Sequence, residues 1–256
     1  MQLLAHRGHQ GLAPENSISG LLSLPPGIDG IEVDVRASAD GVPVLLHDAD
    51  LARKTDGSGV VEETAFAMLR KLRVKGSAEP PPRLEVYLDR AANHLEFARK
   101  QECHASGSGI YLDIKIQDKA VLERVAREVS RLSIASRIVW LARNRSDFEI
   151  LAGEARVGSR FGLLGCNRSN FAESLAVAGH YGLEIMFLQH GRDAFLENMG
   201  LVGNIRSAGL QAGASILNGL QDLELAREAG CTHAITDFPP PALLDQGAFG
   251  ISDFDR

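Results

Sequence analysis

Short segments with a strand period alternate with longer segments with a helical period along most of the chain. This alternation restricts the fold more than any other feature of the sequence. The strand-like segments end at His6, Asp34, His47, Lys115, Ala142, Leu164, Leu188, Leu217 and Thr236. Asp40-Gly41 is a hairpin signal standing just before Pro43-Val44-Leu45. The strand ending at His47 is therefore the returning arm of a hairpin, and eight strands remain. Helices are expected over about 14–24, 64–72, 84–100, 118–132, 169–181, 193–207 and 220–229, with one more starting at the capping-box pair Ser146 and Glu149. Repeated strand–helix units imply parallel strands joined by right-handed crossovers. Eight of them in 256 residues match an α/β (β/α)8 TIM barrel with a β-hairpin and short helical elaboration after the second strand. An open doubly wound sheet would carry a glycine fingerprint after its first strand, and Gly8-His9-Gln10-Gly11 lacks that spacing. The whole chain, 1–256, reads as one barrel domain, with 48–109 an elaborated connection inside it.

Composition narrows the function. The chain has 27 basic against 33 acidic residues, a net charge of −6 and no basic run, which argues against nucleic acid as a partner. No apolar run reaches the ~18–20 residues of a membrane helix, so no membrane insertion is expected. The segment from Gln2 to Ala5 already reads as a strand, leaving no room for a removable leader. Cys103, Cys166 and Cys231 form no metal or redox motif, which points to a reducing, cytoplasmic setting. A homo-oligomer is compatible with all of this.

In a barrel of this kind the C-terminal ends of the strands meet in one site. Ile31, Val33 and Val35 alternate with Glu32 and Asp34, so one face of the second strand is aliphatic and the other carries two carboxylates. The first strand ends in His6 and Arg7, the hairpin delivers His47, and the third barrel strand brings Asp113 and Lys115. Charged residues inside strands are costly unless paired or bound to metal, and here several converge. Glu32, Asp34 and Asp113 read as metal ligands, and as hard oxygen donors they suit a divalent cation, Mg²⁺ or Ca²⁺, rather than zinc. His6 and His47 have the acid–base character of imidazole near neutral pH. Arg7 can grip phosphate oxygens with two parallel hydrogen bonds, and Lys115 can add a point charge. His9, His94, His104, His180, His190 and His233 have no such company and read as structural or surface groups; Gln189-His190, ending its strand, reads first as a surface loop and second as a lining of the pocket. Thr236-Asp237 reads as barrel closure rather than chemistry.

This set resembles the glycerophosphodiester phosphodiesterase family. The matching pieces are His6-Arg7-Gly8, Pro14-Glu15-Asn16-Ser17, Glu32-Val33-Asp34-Val35, Asp40-Gly41 before Pro43-Val44, His47-Asp48, and Thr236-Asp237 before Phe238-Pro239. The resemblance implies a (β/α)8 fold and hydrolysis of a small-molecule phosphodiester to an alcohol and glycerol 3-phosphate with a divalent cation. One of His6 and His47 would activate the nucleophile and the other protonate the leaving alkoxide. Glu15 and Asn16 would steady the loop after the first strand. The sequence departs from the family at two places. Asp113 stands where the family usually has Glu, and Ser215-Ile216-Leu217-Asn218 replaces a Trp-Thr-Val-Asn-like run, keeping Asn218 as a substrate-binding residue but losing an aromatic wall. A phospholipase or lyase acting on lysophospholipids, and a barrel that binds phosphodiesters without turning them over, are the alternatives.

Overall fold

The structure is a computed structural model that describes residues 1–25, 27–100, 109–154 and 159–238. Among these residues nine strands share one sheet: β1 (Gln2–Ala5), β2 (Gly30–Ala37), β3 (Pro43–Leu45), β4 (Gly109–Ile114), β5 (Ile138–Ala142), β6 (Arg160–Cys166), β7 (Ile185–Leu188), β8 (Gln211–Ala214) and β9 (His233–Thr236). The order β1-β9-β8-β7-β6-β5-β4-β2 closes through a parallel β1–β2 pairing, which makes an eight-stranded parallel barrel. Closure leaves no barrel edge, and β3 alone runs antiparallel, against the upper part of β2. The fold and the hairpin thus match the sequence expectation. At the turn Gly41 takes a positive φ of 71° and its N–H donates to the Ser38 carbonyl at 2.9 Å, a conformation glycine adopts without steric cost.

Side-chain alternation sorts the barrel into two apolar layers. Ile31, Val33 and Val35 point outward into the large cluster that packs the surrounding helices. Leu4, Tyr111, Val139, Leu141, Leu164, Ile185, Phe187 and Ile235 point inward and fill the lumen as a second cluster. His233 lies on the lumen floor, edge-on to Tyr111 and Phe187 with ring centroids 6.0 and 6.3 Å away. Its role is structural, as its isolation in sequence suggested. The inward positions continue at a period of two beyond the apolar residues. Leu4 leads to His6, Tyr111 to Asp113, Leu141 to Arg143 and Ile235 to Asp237. Apart from His233 on the floor, the polar inward residues named here thereby gather at the C-terminal mouth.

Several local expectations change for identifiable reasons. The helix expected over 14–24 shortens to Ile18–Leu22, because Asn16 sits in the left-handed region at φ 54° and Ser17 is the N-cap, its Oγ accepting from the Gly20 N–H at 3.0 Å. Around 64–72 only Phe66–Leu69 is α-helical. The capping-box role of Ser146 passes to Asn144, whose Oδ1 accepts from the Asp147 N–H at 3.0 Å and from Ser146 Oγ at 2.6 Å. The segment over 193–207 divides into Arg192–Asn198 and Leu201–Ser207 around Gly200, where helix propensity is poor. The strand expected to run to Leu217 ends at Ala214, because Ile216 at φ 56° turns the chain out of the ladder. Pro26, Cys103, His104 and Pro239 lie outside the described residues.

The lumen leaves no slack at β8. A Cβ on Gly213 would collide with the Phe187 ring from β7. Gly213→Ala is expected to cost about 1–3 kcal/mol of stability by overpacking. Urea unfolding followed by circular dichroism measures it, and an unchanged midpoint would contradict this account of the lumen.

Candidate active site

The barrel mouth is built from strand ends in register. Asp34 and Asp113 are direct partners across the parallel β2–β4 ladder, and Glu32 lies two residues before Asp34 on the same inward face. All three carboxylates are buried, and one oxygen from each lies within 4.8 Å of the others. Three negative charges this close cannot stay ionised in a dry site without cations. The Glu32 carboxyl is accordingly pushed well above its usual range, by burial first and then by Asp34 and Asp113.

Asp34 is the opposite case. Burial alone would raise it, but Lys115, His47, Arg7 and the Asn16 side chain together hold it well below the ordinary carboxylate range. Lys115 Nζ reaches Asp34 Oδ1 at 3.0 Å and Asp113 Oδ2 at 2.9 Å, bridging the two strands. Asn16 clasps Asp34 from both ends, donating Nδ2–H to Oδ2 and accepting the Asp34 backbone N–H on Oδ1, each at 3.0 Å. The left-handed backbone of Asn16 makes this clasp possible. Glu15 accepts from Arg7 Nη1 at 3.1 Å and pairs with Lys54 Nζ at 2.8 Å, which fixes the Arg7 guanidinium. Arg7 Nε, 3.3 Å from Asp34 Oδ2, is buried and has no hydrogen-bond partner among the described residues.

His6 caps the first strand. Its Nδ1 lies 2.6 Å from Asp237 Oδ1, and its Nε2 faces the carboxylates, 3.9 Å from Glu32 Oε2. Burial would raise the Asp237 carboxyl, but His6, Asn218 and Gln10 hydrogen-bond to it and hold it far below its usual value. His47 arrives on the far side of the hairpin with Nδ1 3.1 Å from Asp48 Oδ1. The Arg36 Nε–H donates to the His47 carbonyl at 2.8 Å and anchors the returning arm. Burial, with Arg7 and Lys115, pushes the His47 pKa below the ordinary imidazole value, against the pull of Asp34 and Asp48.

The small mouth cavity is lined by His6, Arg7, Glu32, Asp34, His47 and Asp113, and also by Arg143, His190, Leu164 and Ile235. Arg143 was not expected here, and His190 was expected first in a surface loop and only second at the pocket. Arg143 forks Asp113, with Nη1 to Oδ1 and Nη2 to Oδ2 both at 2.6 Å. Its signal was present in the Val139-Leu141-Arg143 alternation, which places it on the inward face one pleat past the last interior leucine. His190 lies out of phase with its strand, which hides it from any periodicity. Its Nδ1 meets Ser215 Oγ at 2.7 Å, its ring stands edge-on to His6 at 6.2 Å, and burial, His6 and Arg143 push its pKa down to about 4. An imidazole lining the mouth is thus held by a serine hydroxyl. Asp237, expected only to close the barrel, is the hydrogen-bond partner of His6. Asn218, expected to touch substrate, donates Nδ2–H to Asp237 Oδ2 at 2.9 Å and accepts the Asp237 backbone N–H at 2.8 Å. It holds Asp237 in place and is not among the residues lining the cavity.

A parallel (β/α)8 barrel with buried carboxylates, paired histidines and phosphate-matching cations at its C-terminal mouth is built as an enzyme. The sequence pattern of the glycerophosphoryl diester phosphodiesterase family matches residues 6–158, and the chain belongs to that family. YhdW of Bacillus subtilis, named as a candidate glycerophosphodiester phosphodiesterase, is 25% identical over 252 residues, spanning 96% of this chain and 98% of its own. Human glycerophosphodiester phosphodiesterase 1 is 40% identical over 70 residues, 27% of this chain and 21% of its own. A glycerophosphodiester phosphodiesterase from Agrobacterium tumefaciens superposes with a TM-score of 0.71 at 22% identity, covering 95% of this chain and 98% of the other. An Oleispira antarctica phosphodiesterase, solved with its product sn-glycerol-3-phosphate, superposes at 0.76 with 21% identity, covering 96% and 97%. Among the described residues no helix is long and apolar enough to cross a membrane.

The Glu32–Asp34–Asp113 set fits a metal ion. Its donors are all carboxylate oxygens, and the raised proton affinity of Glu32 marks a deficit of positive charge that a bound cation removes. Because the folded pKa of Glu32 lies above its unfolded value, it favours the fold at low pH, and that contribution is lost as pH rises through the folded value. Glu32→Gln is therefore expected to raise the melting temperature of the metal-stripped protein at pH 8 and to remove most of the further rise on adding a divalent cation. Thermal scans with and without chelator measure both, and a lower melting temperature for the variant at pH 8 would contradict the crowding argument.

Proposed function

We propose that the protein is a metal-dependent phosphodiesterase that hydrolyses glycerophosphodiesters to an alcohol and glycerol 3-phosphate. The observation that carries this reading is the convergence of Glu32, Asp34 and Asp113 with His6 and His47 on one cavity at the barrel mouth. Glu32, Asp34 and Asp113 would hold the ion, and their hard oxygens favour Mg²⁺ or Ca²⁺. When bound, the ion supplies Lewis-acid charge against the phosphoryl oxygens.

The residues of the chain divide the remaining work. Arg7, steadied by Glu15 and Asp34, offers its guanidinium to the phosphate, and Lys115 adds a charge beside it. His47, kept neutral near pH 7 by burial and by the neighbouring cations, is suited to accept a proton from the nucleophile, a water or an adjacent substrate hydroxyl. His6 has Asp237 behind it to stabilise an imidazolium and to aim Nε2 at the cavity, which suits it to give a proton to the leaving alkoxide. The bond from phosphorus to the nucleophile forms as the bond to the alcohol breaks, and one proton passes through each histidine. Buried, unpaired Cys166 and Cys231 accord with the cytoplasm as the compartment.

The division of labour can be tested with leaving groups. Against glycerophosphodiesters, His6→Ala and His47→Ala should each lower kcat/KM by about 10²–10⁴. Against bis(4-nitrophenyl) phosphate, whose leaving group departs without protonation, His6→Ala should recover most of its activity while His47→Ala does not. Recovery by His47→Ala instead would reverse the two roles. Turnover by wild type that survives exhaustive chelation would reject the metal, and no turnover of any diester alongside tight binding would leave a binding protein.

A further inference from the structure

Arg143 is a cation at the mouth with an unusual position. It stands one pleat beyond Leu141, just past the end of β5, and Leu141 is the ladder partner of Asp113 on β4. Both arms of its guanidinium are spent on Asp113, at 2.6 Å each, while Lys115 takes a third hydrogen bond on Oδ2 at 2.9 Å. A carboxylate offers about four lone-pair sites, so one remains on Asp113, next to a guanidinium. Asp113 can thus give an oxygen to a divalent cation only against the repulsion of that fork, or after releasing it. The two cations on Asp113 differ in freedom. The Lys115 side chain is 12% exposed and locked between two carboxylates, whereas the Arg143 side chain is 41% exposed and can swing within the mouth. The cavity that Arg143 lines is shared with Arg7, His6 and His47.

We propose that Arg143 exchanges partners: it neutralises Asp113 when the metal site is empty, and binds the phosphate of the substrate once Asp113 has turned to the metal. The inference rests on the phosphodiesterase reading above and adds a phosphate-binding group that also couples the two binding events. Metal binding frees a guanidinium whose planar fork matches two phosphate oxygens as well as it matched two carboxylate oxygens. The phosphate in turn draws Arg143 away from Asp113 and opens the ligand to the metal. By linkage the two effects are equal in size.

The test is calorimetric titration of Mn²⁺ into metal-stripped wild type, Arg143→Ala and Arg143→Lys, each with and without glycerol 3-phosphate. In wild type, glycerol 3-phosphate should tighten Mn²⁺ binding. In Arg143→Ala, Mn²⁺ alone should bind about tenfold tighter than in wild type, since one competitor is gone, and the tightening by glycerol 3-phosphate should shrink to a small fraction of the wild-type factor. Arg143→Lys keeps the charge but not the fork, and its metal affinity should move most of the way to that of the alanine variant. A lysine variant that matches wild type would overturn the exchange and leave only long-range charge. Equal coupling in wild type and Arg143→Ala would also overturn it, even if wild type hydrolyses glycerophosphodiesters normally. Wild type that binds no Mn²⁺ and turns over no diester would reject the proposed function as well.

Discussion

Three carboxylates buried within reach of one another are the condition on which this molecule is built. In a low-dielectric mouth their mutual repulsion is large, and each must be met by a cation, a hydrogen-bond donor or a proton. The three solve this differently. Asp34 is ionised because Lys115, Arg7 and Asn16 surround it, and Asp113 is matched by Lys115 and the Arg143 fork. Among the described residues Glu32 has only the Arg7 backbone N–H, at 3.2 Å, as a hydrogen-bond donor, and burial with the neighbouring Asp34 and Asp113 leaves its carboxyl a high proton affinity. That gradient of compensation across a few ångströms is what gives the triad its appetite for metal.

The same demand shapes the loop after β1. Arg7, Gly8, His9 and Asn16 all have positive φ, a cost that only Gly8 escapes. The strain places the Arg7 N–H on Glu32, the Arg7 guanidinium beside Asp34, and the Asn16 amide across Asp34. Ser17 then starts the first helix and fixes the far end of the loop. The chain gives up regular structure over these residues, and in return Asp34 is held ionised and Glu32 receives the Arg7 N–H. Strain of this kind persists where the surroundings over-determine it, and here the surroundings are the buried acids themselves.

Much of this was legible in the sequence because it follows from period-two alternation. Glu32 and Asp34 share a face by spacing, the Asp40-Gly41 turn returns His47, and counting strands closes the barrel. Lys115, Asp113, His6 and Arg7 follow from being at strand ends. What was missed or ranked second depends on geometry that alternation does not encode. His190 reaches the mouth only because the chain bends after β7 and Ser215 catches its imidazole. Asn218 looks like a substrate ligand in sequence, yet the departure of Ile216 from the β8 ladder turns its amide onto Asp237. Asp237 itself was on the inward face in plain sight, but nothing local reveals that its partner lies 231 residues away in His6. Arg143 is different, since its phase was readable and only its partner was not. Side-chain reach, unlike backbone phase, has no period.

Arg143 also changes the electrostatic balance of the mouth. The sequence suggested two cations against three carboxylates, a site left one charge short until a divalent ion enters. With Arg143 the described cations Arg7, Lys115 and Arg143 equal the acids Glu32, Asp34 and Asp113 in number. A site already near neutrality gains less from a cation alone, and carries excess positive charge once it has bound one. That excess is best answered by an anion with several oxygens, which is the chemistry of a phosphodiester. The fork on Asp113 therefore ties the two ligands together: the metal is held most firmly when the phosphate is present, and the phosphate meets its full set of cations only when the metal is.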